Sequence, residues 1–225
     1  MSNVADREAP PAKQAVGREV RRLTGSVQEF LARLVEGKTV LDVGCADHSV
    51  SREASDSWLH KHLARSARFI LGVDILESEA AELRRRGYNV ISGDATTIAL
   101  DRRFDVVVAG EIIEHVGAPA ALVASLARHL NQEGRLALTT PHAFFALHFL
   151  ESVFCSPAKR WNEQHVTWYC PSTLGNLLRR NGLDVEESYY FTRSRKLRWI
   201  MKALHIPCYG FLASSILVIA RRKIP

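Results

Sequence analysis

Two rhythms of apolar residues alternate along the chain. Short runs rich in β-branched and aliphatic residues, Val40–Val43, Phe69–Val73, Val90–Ile91, Phe104–Ala109 and Arg135–Thr140, read as buried strands. Between them, apolar positions recur at helical intervals. Val20, Leu23, Val27, Phe30 and Leu34 mark a helix that Gly37 stops. Trp58–Ala67, Glu77–Arg86 closed by Gly87, and Ala118–Leu130 with Pro119 in its first turn are the next three. Ser172–Asn181, ending at Gly182, is another helix, and Asp184–Phe191 and Ser215–Arg221 are the last strands. Strands alternating with helices imply a parallel sheet with right-handed crossovers, so the pattern predicts an α/β fold.

Three stretches break the rhythm. Residues 1–15 are polar, carry Pro10-Pro11 and predict a flexible tail, which leaves 16–225 as a single domain. Residues 142–170 hold Phe144, Phe145, His148, Phe149, Phe154, Trp161, His165, Trp168 and Tyr169. They follow the fifth strand on its ligand-facing side and are read as an acceptor-side insertion, although most of these rings equally suit a small subsidiary core. Residues 193–212 are basic, with Lys196, Arg198 and Lys202 beside Trp199. This is expected to be an amphipathic helix packed on the domain, with weak contact to an anionic membrane surface as the alternative.

Composition narrows the field only a little. The 225 residues carry a formal charge of +6, which permits an acidic or phosphate-bearing acceptor without demanding one. No basic patch with interleaved aromatics marks a nucleic-acid surface, so none is expected. Cys45, Cys155, Cys170 and Cys208 are far apart and show no paired metal-ligand spacing, which fits reduced thiols. The N-terminus lacks an apolar segment of signal-peptide type, and the longest apolar run, Phe211–Ala220, is too short to span a bilayer. A soluble cytoplasmic protein, monomeric or homodimeric, is the expectation.

The chemistry lies where strands end. Val40-Leu41-Asp42-Val43-Gly44-Cys45-Ala46-Asp47-His48 is a strand followed by a small-residue turn, where a ligand can approach the backbone closely. Asp74, Asp94 in Gly93-Asp94-Ala95, and Glu111 after Gly110 repeat the scheme of an acid just past an apolar run. In a parallel sheet these acids line one edge, at the carboxyl ends of neighbouring strands.

Together these segments resemble the class I S-adenosylmethionine-dependent methyltransferases. Glu111-Ile112-Ile113-Glu114-His115-Val116 looks like the fourth-strand motif of the ubiquinone-type branch, and the likeness extends through Leu130–Leu136 and Thr139-Thr140-Pro141-His142. The resemblance implies a Rossmann-like three-layer sandwich with a seven-stranded, mostly parallel sheet of order 3-2-1-4-5-7-6, strand 7 antiparallel. It implies S-adenosylmethionine as cofactor, with Asp74 on the ribose hydroxyls and Asp94 with the Ala95 N–H on the adenine. Asp42 would hold the ammonium, directly or through water. Gly44, Cys45, Ala46, Ile75, Gly110 and Glu111 would form the rest of the cofactor site. The family usually carries further glycines where this chain has Ala46 and His48, which places an imidazole near the methionine end.

The ubiquinone-type motifs favour oxygen acceptors, which implies O-methylation of a hydroxyl on a small molecule, natural product, sugar or glycan precursor. Such a hydroxyl must lose a proton, so a base is required. His115, just past the fourth strand, is the first candidate, His142 the second and His165 the third, since imidazole titrates near neutral pH. Each equally suits a structural histidine bonding a backbone carbonyl. Glu111 and Glu114 could orient the substrate or the histidine. His115, His142 and His165 with Glu111 could also gather around a divalent metal, but their spacing carries no ligand signature and no metal is predicted. Two other readings share the architecture. An NAD(P)-dependent oxidoreductase would need the three-glycine fingerprint that the first turn lacks. A non-catalytic protein that binds S-adenosylmethionine would keep the fold and lose turnover.

Overall fold

The computed structural model describes residues 19–154, 162–194, 196, 199, 203 and 210–223 and, of residues 151 and 152, the backbone alone. The expected tail, 1–15, and much of 193–212 lie outside the described residues. Eight strands form one sheet: β1 (Arg21–Arg22), β2 (Thr39–Val43), β3 (Phe69–Asp74), β4 (Val90–Ser92), β5 (Phe104–Gly110), β6 (Leu130–Pro141), β7 (Leu183–Phe191) and β8 (Ser215–Arg222). Their order is β1-β7-β8-β6-β5-β2-β3-β4. With β1 set aside this is the expected order, and β8 runs antiparallel to both its neighbours.

β1 is the departure. A helix was expected to run from Val20 to Leu34. Instead Arg21 and Arg22 pair in parallel with Tyr189 and Tyr190 of β7, and α1 covers only Val27–Leu34. Ser26 explains the late start, because its hydroxyl accepts the Glu29 N–H at 3.1 Å while the Glu29 carboxylate accepts the Ser26 N–H at 3.3 Å. That reciprocal cap fixes the first turn. The residues before it instead cover the otherwise open edge of β7, satisfying backbone groups that no sequence periodicity reports.

The other helices are α2 (Leu59–Ser66), α3 (Glu77–Arg85), α4 (Pro119–Arg128), α5 (Ala146–Phe154) and α6 (Pro171–Arg180). Strand residues alternate between the two faces of the sheet, so both faces are apolar. Val107 and Ala109 join Leu122 and Leu126 of α4 and Leu174 and Leu178 of α6 in one core. Val106 and Val108 join Leu31 of α1 and Leu63 of α2 in the other. The result is a three-layer sandwich whose central strands, β2 and β5, are adjacent and parallel. Chain connections leave β2 toward β3 and β5 toward β6, so a crevice opens at their carboxyl ends.

Candidate active site

That crevice is a cleft of about 1570 Å³, and Asp42, Asp74, Asp94 and Glu111 all line it. The acids of four separate strands thus meet at one rim. Gly44 turns the chain out of β2 with a φ of +78°, and Asp47 and His48 follow with φ of 47° and 69°. A left-handed backbone at a β-carbon-bearing residue is strained. His48 therefore holds a glycine-like conformation, which is what the unusual residue in this turn means locally.

Asp74 ends β3 and is held by backbone donors. Its two carboxylate oxygens accept the N–H of Ala46 at 2.8 Å and of Leu76 at 3.0 Å. A carboxylate offers about four lone-pair positions, so about two remain for a ligand. Ala46 is buried and outside the cleft lining, so its part is to orient Asp74. Beside it, Ile75 is 68% exposed on the cleft wall, an apolar surface at a polar rim that suits a flat ring. Asp94 gives one oxygen to the Thr96 N–H and hydroxyl, both at 2.8 Å, which hold its carboxyl below the usual range. Asp94 and the neighbouring Ala95 line the same cleft.

Asp42 has a partner that sequence reasoning missed. His60 of α2 is fully buried beneath it, with Nδ1 2.8 Å from Asp42 Oδ2. Burial raises the Asp42 pKa, and His60 opposes that rise. The fit depends on Gly72 of β3, where a β-carbon would lie 2.7 Å from the Cys45 sulfur and 3.0 Å from His60 Cε1. His60, Leu63 and Ala67 share one helical stripe, so a histidine among core positions was the available signal. Cys45 contributes least. Burial pushes its thiol pKa up, and its carbonyl accepts the indole N–H of Trp58 at 2.8 Å.

The other half of the cleft is built on the turn after β5. Glu111, in the left-handed region at φ 53°, donates its N–H to the Thr139 carbonyl at 3.0 Å. Its Oε2 accepts from Arg193 at 2.8 Å, while Oε1 is buried without a hydrogen-bond partner. Arg193, just past β7, was not singled out in the sequence, where nothing links it to a residue so distant along the chain. Burial raises the Glu111 pKa, and Arg193 opposes it. Glu114 lies deeper, accepting the Thr140 hydroxyl at 2.9 Å, and burial together with Glu111 pushes its pKa up to about 8.

His115 and His165 stand beside these acids with ring centroids 4.7 Å apart, and His48 lies 5.7 Å from His115. Burial lowers both pKa values, and neighbouring imidazoles lower them further. His115 Nδ1 is 3.2 Å from the Gln164 carbonyl, so it is both tied to a backbone carbonyl and open at Nε2. His142 is elsewhere. Its ring packs against Phe144 and Tyr190 and takes no part in the cleft. Of the aromatic wall expected from 142–170, the described residues take several positions, with Trp168 packed against His148 and His165. Phe144, Phe149 and Phe154 are exposed, Tyr169 is buried in the core, and His165 is the named ring that lines the cleft. Trp161 lies outside the described residues.

The set suits a ligand with vicinal hydroxyls at Asp74, a flat ring at Ile75 and Asp94, and positive charge between Asp42 and Glu111. Comparison with known proteins gives the family and the fold. A family model described as a methyltransferase domain matches residues 16–188. The ubiquinone biosynthesis O-methyltransferase of Neisseria meningitidis is 26% identical over 167 residues, covering 68% of this chain and 67% of that relative. The chain thus spans about two thirds of the length of such curated relatives. In fold it is similar to a methyltransferase structure from Bacillus halodurans (TM-score 0.62, 20% identity, 89% of this chain and 100% of that one). It is also similar to magnesium protoporphyrin IX methyltransferase from Synechocystis, solved with bound S-adenosylhomocysteine (TM-score 0.59, 17% identity, 88% and 80% covered).

Proposed function

The chain belongs to the methyltransferase-domain family, as a class I S-adenosylmethionine-dependent enzyme of the ubiquinone-type branch, and on that premise we propose that it methylates a hydroxyl of a small-molecule, sugar or glycan-precursor acceptor. The observation that carries the reading is the convergence of Asp42, Asp74, Asp94 and Glu111 on one cleft whose far end holds His115 and His165. S-adenosylmethionine supplies a methyl group already activated on a sulfonium.

The chain's own residues then have three tasks. Asp74 accepts the ribose hydroxyls through its free lone pairs, with Ile75 against the adenine and Asp94 and Ala95 at its edge. Asp42, steadied by His60, and Glu111, steadied by Arg193, place negative charge around the cationic end. Gly44 and Gly110 let the backbone come close, and Cys45 and Ala46 hold the turn in place. Most of the rate comes from alignment of the two reacting atoms.

The acceptor's proton leaves at the histidine cluster. His115 is the first receiving group, because its Nδ1–H is committed to the Gln164 carbonyl and its Nε2 lone pair is free. His165 stands next to it, and Glu114 sits beneath. Oxygen is favoured as the acceptor atom because an amine, once deprotonated in water, needs no such base. The relatives named for ubiquinone biosynthesis carry the same reaction class in their names.

The test is a screen with methyl-labelled S-adenosylmethionine against phenols, catechols, sugars and sugar nucleotides, with matched amines. Label appearing on hydroxyls is the expected result. Transfer confined to nitrogen or carbon would overturn the choice of acceptor atom.

A further inference from the structure

We propose that His60 is a positioning residue for cofactor binding: it orients Asp42 and shares with it an exchangeable proton that the ammonium group of S-adenosylmethionine displaces. The inference rests on the reading that this ammonium lies beside Asp42. His60 Nδ1 is 2.8 Å from Asp42 Oδ2, with the two side chains 0% and 3% exposed. Both residues line the cleft, so a ligand there meets the pair at Asp42.

The fold makes a dedicated box for this ring. His60 is buried on α2, and a β-carbon at Gly72 of β3 would lie 3.0 Å from its Cε1. Trp58 and Tyr88 stand with ring centroids 5.4 Å and 5.7 Å from the imidazole. Nε2 is buried without a hydrogen-bond partner. A donor there would be orphaned on a charged ring, at high cost among apolar neighbours. The favoured form is the neutral ring with its proton on Nδ1, donating to Asp42, so that the pair carries one negative charge.

A second proton leaves the pair uncharged, and the two groups titrate as one acid. Asp74 of β3 acts on Asp42 and favours that proton. Cys45, in the turn after β2, is kept a thiol by burial. Tyr88, before β4, gives its hydroxyl to Glu53 at 3.1 Å, and burial keeps it protonated. On α2 itself, Lys61 and His62 reach the carbonyls of Glu53 and Asp56. Among the described residues neither Asp42 nor His60 pairs with Lys or Arg. The negative charge of the pair is thus left for a cationic ligand.

A cation against Asp42 opposes the second proton, and by linkage the proton opposes the cation. Binding of the cofactor therefore releases the proton, and affinity falls as pH drops through the titration of the pair. Imidazole ordinarily titrates between about pH 5 and 8. Glu111, His48 and His115 line the same cleft and add a pH dependence of their own. The share due to the pair is the part that a His60 variant removes.

The test is calorimetry from about pH 5.5 to 8 with S-adenosylhomocysteine, which keeps the ammonium, and with adenosine, which lacks the amino-acid part. Wild type should lose S-adenosylhomocysteine affinity toward low pH and hold adenosine affinity nearly level. His60→Asn, whose amide N–H replaces Nδ1–H, should bind like wild type at the upper limit and lose several-fold less affinity at the lower. His60→Leu, which removes the donor, should bind about tenfold more weakly even at the upper limit. A His60→Asn profile parallel to that of wild type overturns the proposal, as does wild-type affinity in His60→Leu. Should both variants lose adenosine binding, and so the fold, the assigned His60 ring in ¹⁵N spectra of wild-type protein decides. Its titration should move to lower pH with S-adenosylhomocysteine and stay in place with adenosine, and an unmoved titration overturns the proposal. Failure of the underlying reading looks different: Asp42→Asn would keep full S-adenosylhomocysteine affinity, removing the ammonium from Asp42 and the role of the pair with it.

Discussion

Asp105 at one end of the sheet and Asp42, Glu111 and Glu114 at the other are treated in opposite ways, while Asp94 is held low by Thr96. At the amino-terminal rim, Asp105 of β5 accepts the Thr39 N–H at 2.9 Å, the Thr39 hydroxyl at 2.7 Å and the Asn131 amide at 2.7 Å. These bonds hold its pKa below the usual range. At the carboxyl-terminal rim, Asp42, Glu111 and Glu114 have raised pKa values. Glu111 keeps a bare oxygen there, and three non-glycine residues adopt positive φ. One rim spends its polar groups on joining β2, β5 and β6. The other holds polar groups in reserve for a ligand, and strain gathers where a site must be poised.

The contrast is broken most directly at His115. His115→Ala should lower kcat by about 10²–10⁴-fold, the range for a lost acid–base group, with cofactor affinity nearly intact by calorimetry. Full activity in that variant would remove His115 from the chemistry. Asp74→Ala should weaken cofactor binding on the order of 100-fold, since two charge-assisted hydrogen bonds are lost. Titration with S-adenosylhomocysteine measures it.

Asp105→Ala should do the reverse, costing about 2 kcal/mol of stability by orphaning its donors and leaving turnover per folded molecule unchanged. The pH dependence has a definite sign. A carboxyl whose folded pKa is depressed contributes stability that is present above its unfolded value, about 3.9, and is lost as pH falls through the folded value. The gap between wild type and variant in denaturant melts should therefore be level near neutrality and close below about pH 4.

Two smaller changes sharpen the comparison. Ile75→Ala should weaken cofactor binding by a few-fold, about 1 kcal/mol of apolar contact, with no loss in Tm because Ile75 is exposed in the free protein. His48→Gly should raise stability by about 0.5–1 kcal/mol by relieving a left-handed φ, seen as a higher Tm. A decrease would mean that the His48 ring contributes more to the fold than its backbone conformation costs.

Much of this was legible beforehand because it is local. The run Val40–Val43, the break at Gly44 and the acids after successive strands report a buried parallel sheet with a rim, and the order of the strands came from the family resemblance these segments carry. The helix expected from Val20 failed at Arg21 because periodicity cannot see an open edge on β7. His142 was expected beside the cleft, but sitting just past a strand end does not set which way a ring turns. It turned into packing with Tyr190.

What the sequence alone determined, then, is the strands β2 to β8 and the acids past β2 to β5, since burial period and turn chemistry act over a few residues. Which histidines stand together, that His60 lies under Asp42 and that Arg193 reaches Glu111 were decided only by tertiary structure. Those contacts join residues distant along the chain. Their geometry follows from how helices and loops pack on the sheet, and no short-range pattern encodes it.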